Sequence, residues 1–265
     1  MAGWVIKDRR YTFAEAEEMA TKDGSLFRFP PAALAALHRS QRKTTRLVLS
    51  PSAAGYCARK SLLQLTEDYY ENPENLWAAF VGSAVHKRLE SGGEHEEMKL
   101  SMPIGVPCFD AEGVLQTVTL TMTGTLDHYD KANRRLTDYK TTSRPFKYRD
   151  QAGKFVYRPL PDESHVIQAN LYRLLLAHHG LPVDSIDVWY VQPGGTARQV
   201  AAAPLWELED AYFMAVSVGS PIAQAVLTHE LPPCTCKWAS KQEPDLCNTF
   251  TSETWHPENL PALPA

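Results

Sequence analysis

Residues 114–141 place the tightest constraint on what this chain can fold into. Residues 114–123 alternate branched and small polar side chains, the period-2 pattern of a strand buried on one face. Gly124-Thr-Leu-Asp127 continues the run, Lys131-Ala-Asn-Arg134 is turn-like, and Arg135-Leu-Thr-Asp-Tyr-Lys-Thr141 reads as a second strand. The two runs are expected to pair as a hairpin, with Asp127 and Asp138 on neighbouring strands. Within Asp138-Tyr139-Lys140 a period of two puts the carboxylate and the ammonium on one face. Alone, that pair reads as an ordinary ion pair. With Asp127 beside it, two carboxylates converge, which is costly in a poorly hydrated cleft unless a cation lies between them. Hard oxygen donors suit Mg²⁺ or Mn²⁺. Lys140 would then stand beside an attacking water and a phosphate.

Helical patterns flank this unit. Trp77, Phe80, Val81, Ala84, Val85 and Leu89 predict a helix over 74–90, closed by Gly92-Gly93 and carrying His86. Its small Gly82-Ser83-Ala84 would let another backbone approach. Residues 164–179 predict a second helix, with a Val166, Ile167, Leu171, Leu174, Leu175 stripe and Gly180 as the stop. Gln168 and Tyr172 lie four apart and share a face of it. Ser50-Pro51 reads as the start of a helix that buries Leu62, Leu63 and Leu65 and contains Cys57. Residues 186–191 predict a strand, 199–203 its partner across a Pro-Gly-Gly turn, and 206–216 a further helix, while 142–162 and the tail from Leu231 read as irregular.

Residues 1–46 read as an appendage: Thr12 and Glu15 have capping-box spacing, Pro30-Pro31 interrupts, 32–38 resumes as helix, and 41–46 is basic. The expected division is 1–46, a main domain over 47–252, and a tail over 253–265. The order of elements predicts an α/β fold with a central mixed β-sheet flanked by helices.

Composition excludes several classes. With 265 residues and 44% apolar side chains, the chain can fill a core. Lys and Arg number 27 against 31 acids, so it is no polycation, and any nucleic-acid contact needs a local basic face. Residues 131–158 supply one, with nine basic residues and two acids. Arg134, Arg135, Arg144, Lys147 and Arg149 are placed to meet phosphates, and Tyr148, Phe155 and Tyr157 to stack on unpaired bases. No membrane span and no signal-peptide core are expected, which points to a cytoplasmic, reducing compartment.

The motifs together resemble the PD-(D/E)xK nuclease superfamily, in the branch of RecB/AddB-type and Cas4-like nucleases. Gly82 and His86 match its Gly-x-x-x-His motif, Gly124 and Asp127 its hydrophobic-Gly-x-x-Asp motif, Asp138 and Lys140 its Asp/Glu-x-Lys motif, and Gln168 and Tyr172 its Gln-x-x-x-Tyr motif. The match spans about residues 47–250. It implies a restriction-endonuclease-like core and a metal held by His86, Asp127, Asp138 and the Tyr139 carbonyl, with Lys140 catalytic. It also implies hydrolysis of DNA phosphodiesters to 5′-phosphates, with exonuclease action on single strands or duplex ends favoured. Such nucleases belong to prokaryotic cells or phage-infected hosts. Homo-oligomers or partners in recombination, repair or CRISPR-type systems are compatible. Asp138 departs from the Glu that close relatives more often carry.

Cys57 stands apart, and Cys234, Cys236 and Cys247 gather near the end, with 176, 1 and 10 residues between them. Four thiolates suit structural Zn²⁺ or an iron–sulfur cluster, and spacing alone does not separate them. The resemblance implies a [4Fe-4S] cluster, since relatives carry one early and three late cysteine ligands. Cys234-Thr-Cys236 departs from their usual Cys-x-x-Cys. Such a site would tie the two ends of the domain together. Two other readings stand beside the nuclease: a non-catalytic DNA-binding or assembly protein on the same fold, and an unrelated zinc-stapled protein.

Overall fold

A computed structural model describes residues 2–6, 9–22, 29–40, 47–54, 57–90, 98–142, 144–192, 198–235, 247 and 254–260, with the side chains of 40, 75, 78, 79 and 85–90 outside the description. Residues 41–46, Gly92-Gly93, the turn at 193–195 and Cys236 lie outside the described residues.

The N-terminal part folds into its own layer. β1 (Gly3–Ile6) pairs antiparallel with β2 (Arg9–Thr12), and α1 (Phe13–Lys22) and α2 (Pro31–Ser40) follow. The capping box is present: the Thr12 amide donates to the Glu15 carboxylate at 2.8 Å, and the Glu15 amide donates to Thr12 Oγ1 at 3.3 Å. Trp4, Ala16, Ala20, Leu34 and Leu37 form a small separate core.

β3 (Val48–Leu49) then leads into a single 3₁₀ turn, Pro51–Ala53, and α3 (Ala58–Thr66). The expected continuous helix is therefore broken, and Cys57 is the residue that caps α3 rather than one within it. β4 (Tyr70–Glu71) pairs parallel with β1, and α4 (Pro73–Glu90) runs from that layer to the main sheet.

β5 (Met98–Phe109) and β6 (Leu115–Leu126) form a long antiparallel hairpin, with β3 parallel on the other side of β6. Leu100, Met102, Ile104, Val106 and Cys108 point inward from β5. Pro103 and Pro107 fall on its exposed face, and β5 is an edge strand, where proline is tolerated. The chain bends at Asp127 and continues as β7 (His128–Asp130), which pairs with β8 (Arg135–Thr141). This corrects the expected hairpin: the partner of β8 is the short β7, and β6 belongs to the neighbouring three-stranded sheet.

Residues 142–162 are also more ordered than expected, since β9 (Lys147–Arg149) and β10 (Phe155–Tyr157) form a two-stranded antiparallel ribbon. α5 (Glu163–His178) ends at Gly180, whose φ of 72° lies in the left-handed region that glycine favours. β11 (Ser185–Val191) lies parallel to β8, and β12 (Arg198–Ala203) is antiparallel to β11. The four-stranded sheet β12-β11-β8-β7 is mixed, as expected.

α6 (Leu208–Thr228) extends well beyond the expected 206–216 and continues through Pro221. By length and composition alone it is apolar enough to cross a membrane, yet it packs against β5, β6 and α5 as a core helix does. Its buried face carries Ala211, Ala215, Gly219, Ile222, Ala223 and Ala225. A Cβ at Gly219 would meet Leu49, Val106 and Leu120 at 3.1–3.2 Å, so this face lies tightly on the β3-β6-β5 sheet.

Candidate active site and cysteine centre

Asp127 comes to β8 because one strand bends beside another. The register pairs His128 with Thr137 and Tyr129 with Leu136, so one more step sets Asp127 opposite Asp138. Asp127 is no longer in the ladder. Its Oδ2 accepts the Tyr139 amide at 2.8 Å instead. A side chain thus takes over the bond that the strand would have made. In a strand a residue's N–H and C=O leave from the same edge, so the Tyr139 carbonyl also faces Asp127.

Asp138 and Lys140 share the β8 face that α5 covers, as the period of two predicts. The Lys140 ammonium donates to Asp138 Oδ1 at 2.9 Å and contacts Oδ2 at 2.7 Å. Exposure rises along this face, from 2% for the Asp138 side chain to 17% for Lys140. The carboxylate is rooted in the core, and the ammonium reaches toward water.

α5 supplies the cover. Gln168 Nε2 donates to Tyr172 Oη at 3.4 Å and to Asp138 Oδ1 at 3.5 Å, both long. Burial pushes the Tyr172 phenol well above its ordinary pKa, and the nearby Asp138 and Asp127 charges act in the same direction. The Tyr172 ring lies over Gly124, where a Cβ would come 2.5 Å from a ring carbon and 3.2 Å from Pro51. Glycine is required there because the ring occupies the space a side chain would need.

Gly82 shows a second close approach. A Cβ there would meet Thr141 Oγ1 at 2.9 Å, which sets α4 against the end of β8 just beyond Lys140. His86 lies one helical turn further along α4, and its side chain is outside the described residues.

Sequence reasoning missed a polar group beside Lys140. Tyr190 on β11 pairs with Lys140 in register and is fully buried. Its hydroxyl accepts the Asp162 amide at 3.0 Å and lies 2.8 Å from His165 Nδ1. Arg158 pairs with Asp162 and lies over the Tyr190 ring. Burial lowers the His165 pKa to about 4, with the Lys140 charge pushing the same way, and raises that of Tyr190 to about 12. The available signal was spacing: His165 precedes Gln168 by three on one helical face.

The basic residues separate into two groups. Arg134 and Arg135 sit at the start of β8, on the opposite end from Lys140, and pair with Asp184 at 3.0 Å and Asp187 at 3.9 Å. The structure does not bring them to the carboxylates. Arg144 lies past the other end of β8, its carbonyl accepting from Gln192 at 3.0 Å. Lys147 and Arg149 are on one face of the β9–β10 ribbon, and Tyr148 is on the other, opposite Val156.

The cysteines converge. The Sγ atoms of Cys57, Cys234 and Cys247 lie within 4.8 Å of one another, with Cys57 and Cys247 at 3.9 Å. Thr235 donates its amide to Cys57 Sγ at 3.4 Å. Cys108, outside the expected set, is buried in the main core. The tail is also fixed at the far end of α3: Trp255 Nε1 donates to Thr66 Oγ1 at 2.9 Å, and the His256 amide to Glu67 Oε1 at 2.9 Å.

A family model of the PD-(D/E)XK nuclease superfamily matches residues 32–231. The chain belongs to this superfamily. Among solved structures it is similar to the one described as "Crystal structure of SSO0001", at 19% identity over 70% of this chain and 82% of that chain, with a TM-score of 0.44. No curated protein matches.

Proposed function

We propose that this protein is a divalent-metal-dependent deoxyribonuclease of the RecB/AddB-type and Cas4-like branch, acting as an exonuclease on single strands or duplex ends. The observation that carries this reading is the bend at Asp127. It lifts one carboxylate out of the ladder to stand opposite Asp138, with Lys140 on the same strand as Asp138.

The donor set fits a hard divalent ion. Asp127, Asp138, the Tyr139 carbonyl and His86 would hold Mg²⁺ or Mn²⁺, and an ion bound there supplies Lewis acidity and a water of lowered pKa. The chain's own groups do the rest. Lys140 offsets charge that develops on the phosphate as the water oxygen attacks phosphorus and the 3′ oxygen leaves. Gln168 steadies Asp138, and Tyr172 fixes α5 over Gly124. The products are a 5′-phosphate and a 3′-hydroxyl. The test is digestion of end-labelled single strands, duplexes and circles by anaerobically purified protein with Mg²⁺ or Mn²⁺. Loss of labelled ends with circles untouched is the expected result. Intact DNA in every arm would leave the non-catalytic DNA-binding reading.

The thiolates fit a soft metal. The resemblance supports a [4Fe-4S] cluster. A specific observation supports the second reading, structural Zn²⁺: the 3.9 Å separation of Cys57 and Cys247 is close to the edge of about 3.8 Å expected for tetrahedral Zn–S bonds. Cluster ligands each bind a different iron, which spreads the sulfurs further. Metal analysis of anaerobic protein with a visible absorption spectrum separates the two: zinc without colour, or iron and sulfide with it.

A further inference from the structure

The β9–β10 ribbon pairs with neither main sheet, and it leaves large rings in water. Phe155 is 53% and Tyr157 69% exposed. The register sets Phe155 opposite Arg149 and Tyr157 opposite Lys147, so these four side chains share one face. The cations lie over the rings: Lys147 Nζ is 4.9 Å from the Phe155 centroid and 5.5 Å from that of Tyr157, and Arg149 is 4.3 Å from Phe155. A two-stranded ribbon alone is marginal in water, yet this one is braced. Asp150 Oδ1 accepts the Ala152 and Lys154 amides at 3.0 and 2.9 Å at the tip, and the Arg158 amide donates to the Phe146 carbonyl at 2.8 Å at the base. Six residues separate Lys140 from Lys147, so the ribbon rises directly from the active strand.

We propose that this face is a stacking platform for the unpaired bases of a single DNA strand, which it delivers to the carboxylates. The inference rests on the nuclease reading and deepens it by naming the surface that would hold the single strand. Alternating cations and π faces match a polymer that alternates phosphates and bases. Rings two residues apart on a strand are about 6.8 Å apart, roughly twice the 3.4 Å that one base occupies in a stack. One base fits between Phe155 and Tyr157. As it enters, Lys147 leaves the rings for the adjoining phosphate. Duplex DNA has its bases already stacked and offers only phosphates to this face.

The test is fluorescence anisotropy on the full-length chain, with no divalent ion added, using three probes. These are a labelled 20-mer of deoxythymidine, an abasic 20-mer with the same backbone, and a blunt duplex. Phe155→Leu/Tyr157→Leu should weaken binding to the thymidine strand by about 10- to 100-fold, given about 1–3 kcal/mol per stacked base. It should leave the abasic strand and the duplex unchanged. Lys147→Gln/Arg149→Gln should weaken binding to all three probes. The platform is overturned if the wild type binds the thymidine strand and the aromatic variant binds it equally well, which would leave the face to a protein partner. Equal losses on the thymidine and abasic strands overturn it too. A wild type that binds none of the probes removes the DNA reading itself, and the platform with it.

Discussion

The carboxylate site and the cysteine centre are built in opposite ways. The first stands on paired strands: the β7–β8 register starts one residue after Asp127, and the Tyr139 amide, next to Asp138, holds Asp127 at 2.8 Å. The second gathers Cys57, at the start of α3, and Cys247, 190 residues further along the chain. A site on strands is positioned by the fold before any ion arrives. A site gathered from distant parts of the chain would, if it holds an ion, depend on that ion for its local order. The difference teaches where each site should fail: the first by losing chemistry on an intact fold, the second by losing local order while the sheet persists.

The largest effect breaks the first half of that comparison. Under the nuclease reading, Lys140→Ala should lower turnover by about 10²–10³-fold or more, the scale of removing a charge-stabilising donor. Metal content at the cysteines should not change. Removing the ammonium also leaves Asp138 buried without its ion-pair partner, at a cost of about 3–5 kcal/mol in ion-free protein. Asp138→Asn/Lys140→Met should recover most of that stability and none of the turnover. Cleavage retained by Lys140→Ala would end the assignment of roles.

The next effect tests how tightly the cover is fitted. Gly124→Ala puts a methyl 2.5 Å from the Tyr172 ring, which cannot yield without moving α5. Overpacking of this kind costs about 1–3 kcal/mol, and Tyr172 would be displaced from Gln168. Gly82→Ala should cost less, because among the described residues its methyl meets only the Thr141 hydroxyl, at 2.9 Å. Urea midpoints rank the two. If Gly82→Ala were the worse, α4 rather than α5 would be the element that fixes the site.

The smaller structural effect concerns the other centre. Cys57→Ser should speed amide exchange in 231–235 and the first turn of α3 by about tenfold or more, a loss of about 1.4 kcal/mol locally. β8 and β11 should keep their protection. The far end of α3 should keep it too, since Trp255 and His256 hold Thr66 and Glu67 without any thiolate. Sheet amides opening first would show that the two centres are one cooperative unit.

Much of this was legible in the sequence wherever period and punctuation agree. Leu136, Asp138 and Lys140 alternate on one face, Gly180 stops α5, and Thr12 with Glu15 caps α1. β5 was not legible although Leu100, Met102, Ile104, Val106 and Cys108 alternate, because the residues between them include the strand breakers Pro103, Gly105 and Pro107. Only its place at a sheet edge makes those prolines acceptable, and that is a tertiary fact. The bend at Asp127 was hidden for a similar reason. Period carries the strand of 114–123 on through Asp127, and nothing local reveals that the partner changes from β5 to β8 at that residue. The grouping of Asp127, Asp138 and Lys140 survives because β7 restores the same register from a different strand. The ribbon escaped because three-residue strands are too short for a period to show.

The last effect separates the two centres by their response to acid. In the unfolded chain His165 takes a proton near its ordinary pKa of 6.5, whereas the folded chain keeps it neutral down to about pH 4. Burial is the main cause. The Lys140 and Arg158 charges add to it, and Asp162 opposes them. Between those pH values the unfolded state binds more protons, so stability falls as pH drops from 6.5 toward 4. The contribution is fully present above 6.5. His165→Gln keeps a side chain able to bond the Tyr190 hydroxyl but cannot titrate, so its stability curve should be flatter over this window, by up to about one proton at its middle. Acid also displaces metal from thiolates, which would add a slope of the same sign. The comparison therefore belongs in a Cys57→Ser background, where the cysteine contribution is already gone. A flattening seen only with the cysteines intact would assign the acid response to the thiolates, and His165 would then have no part in it.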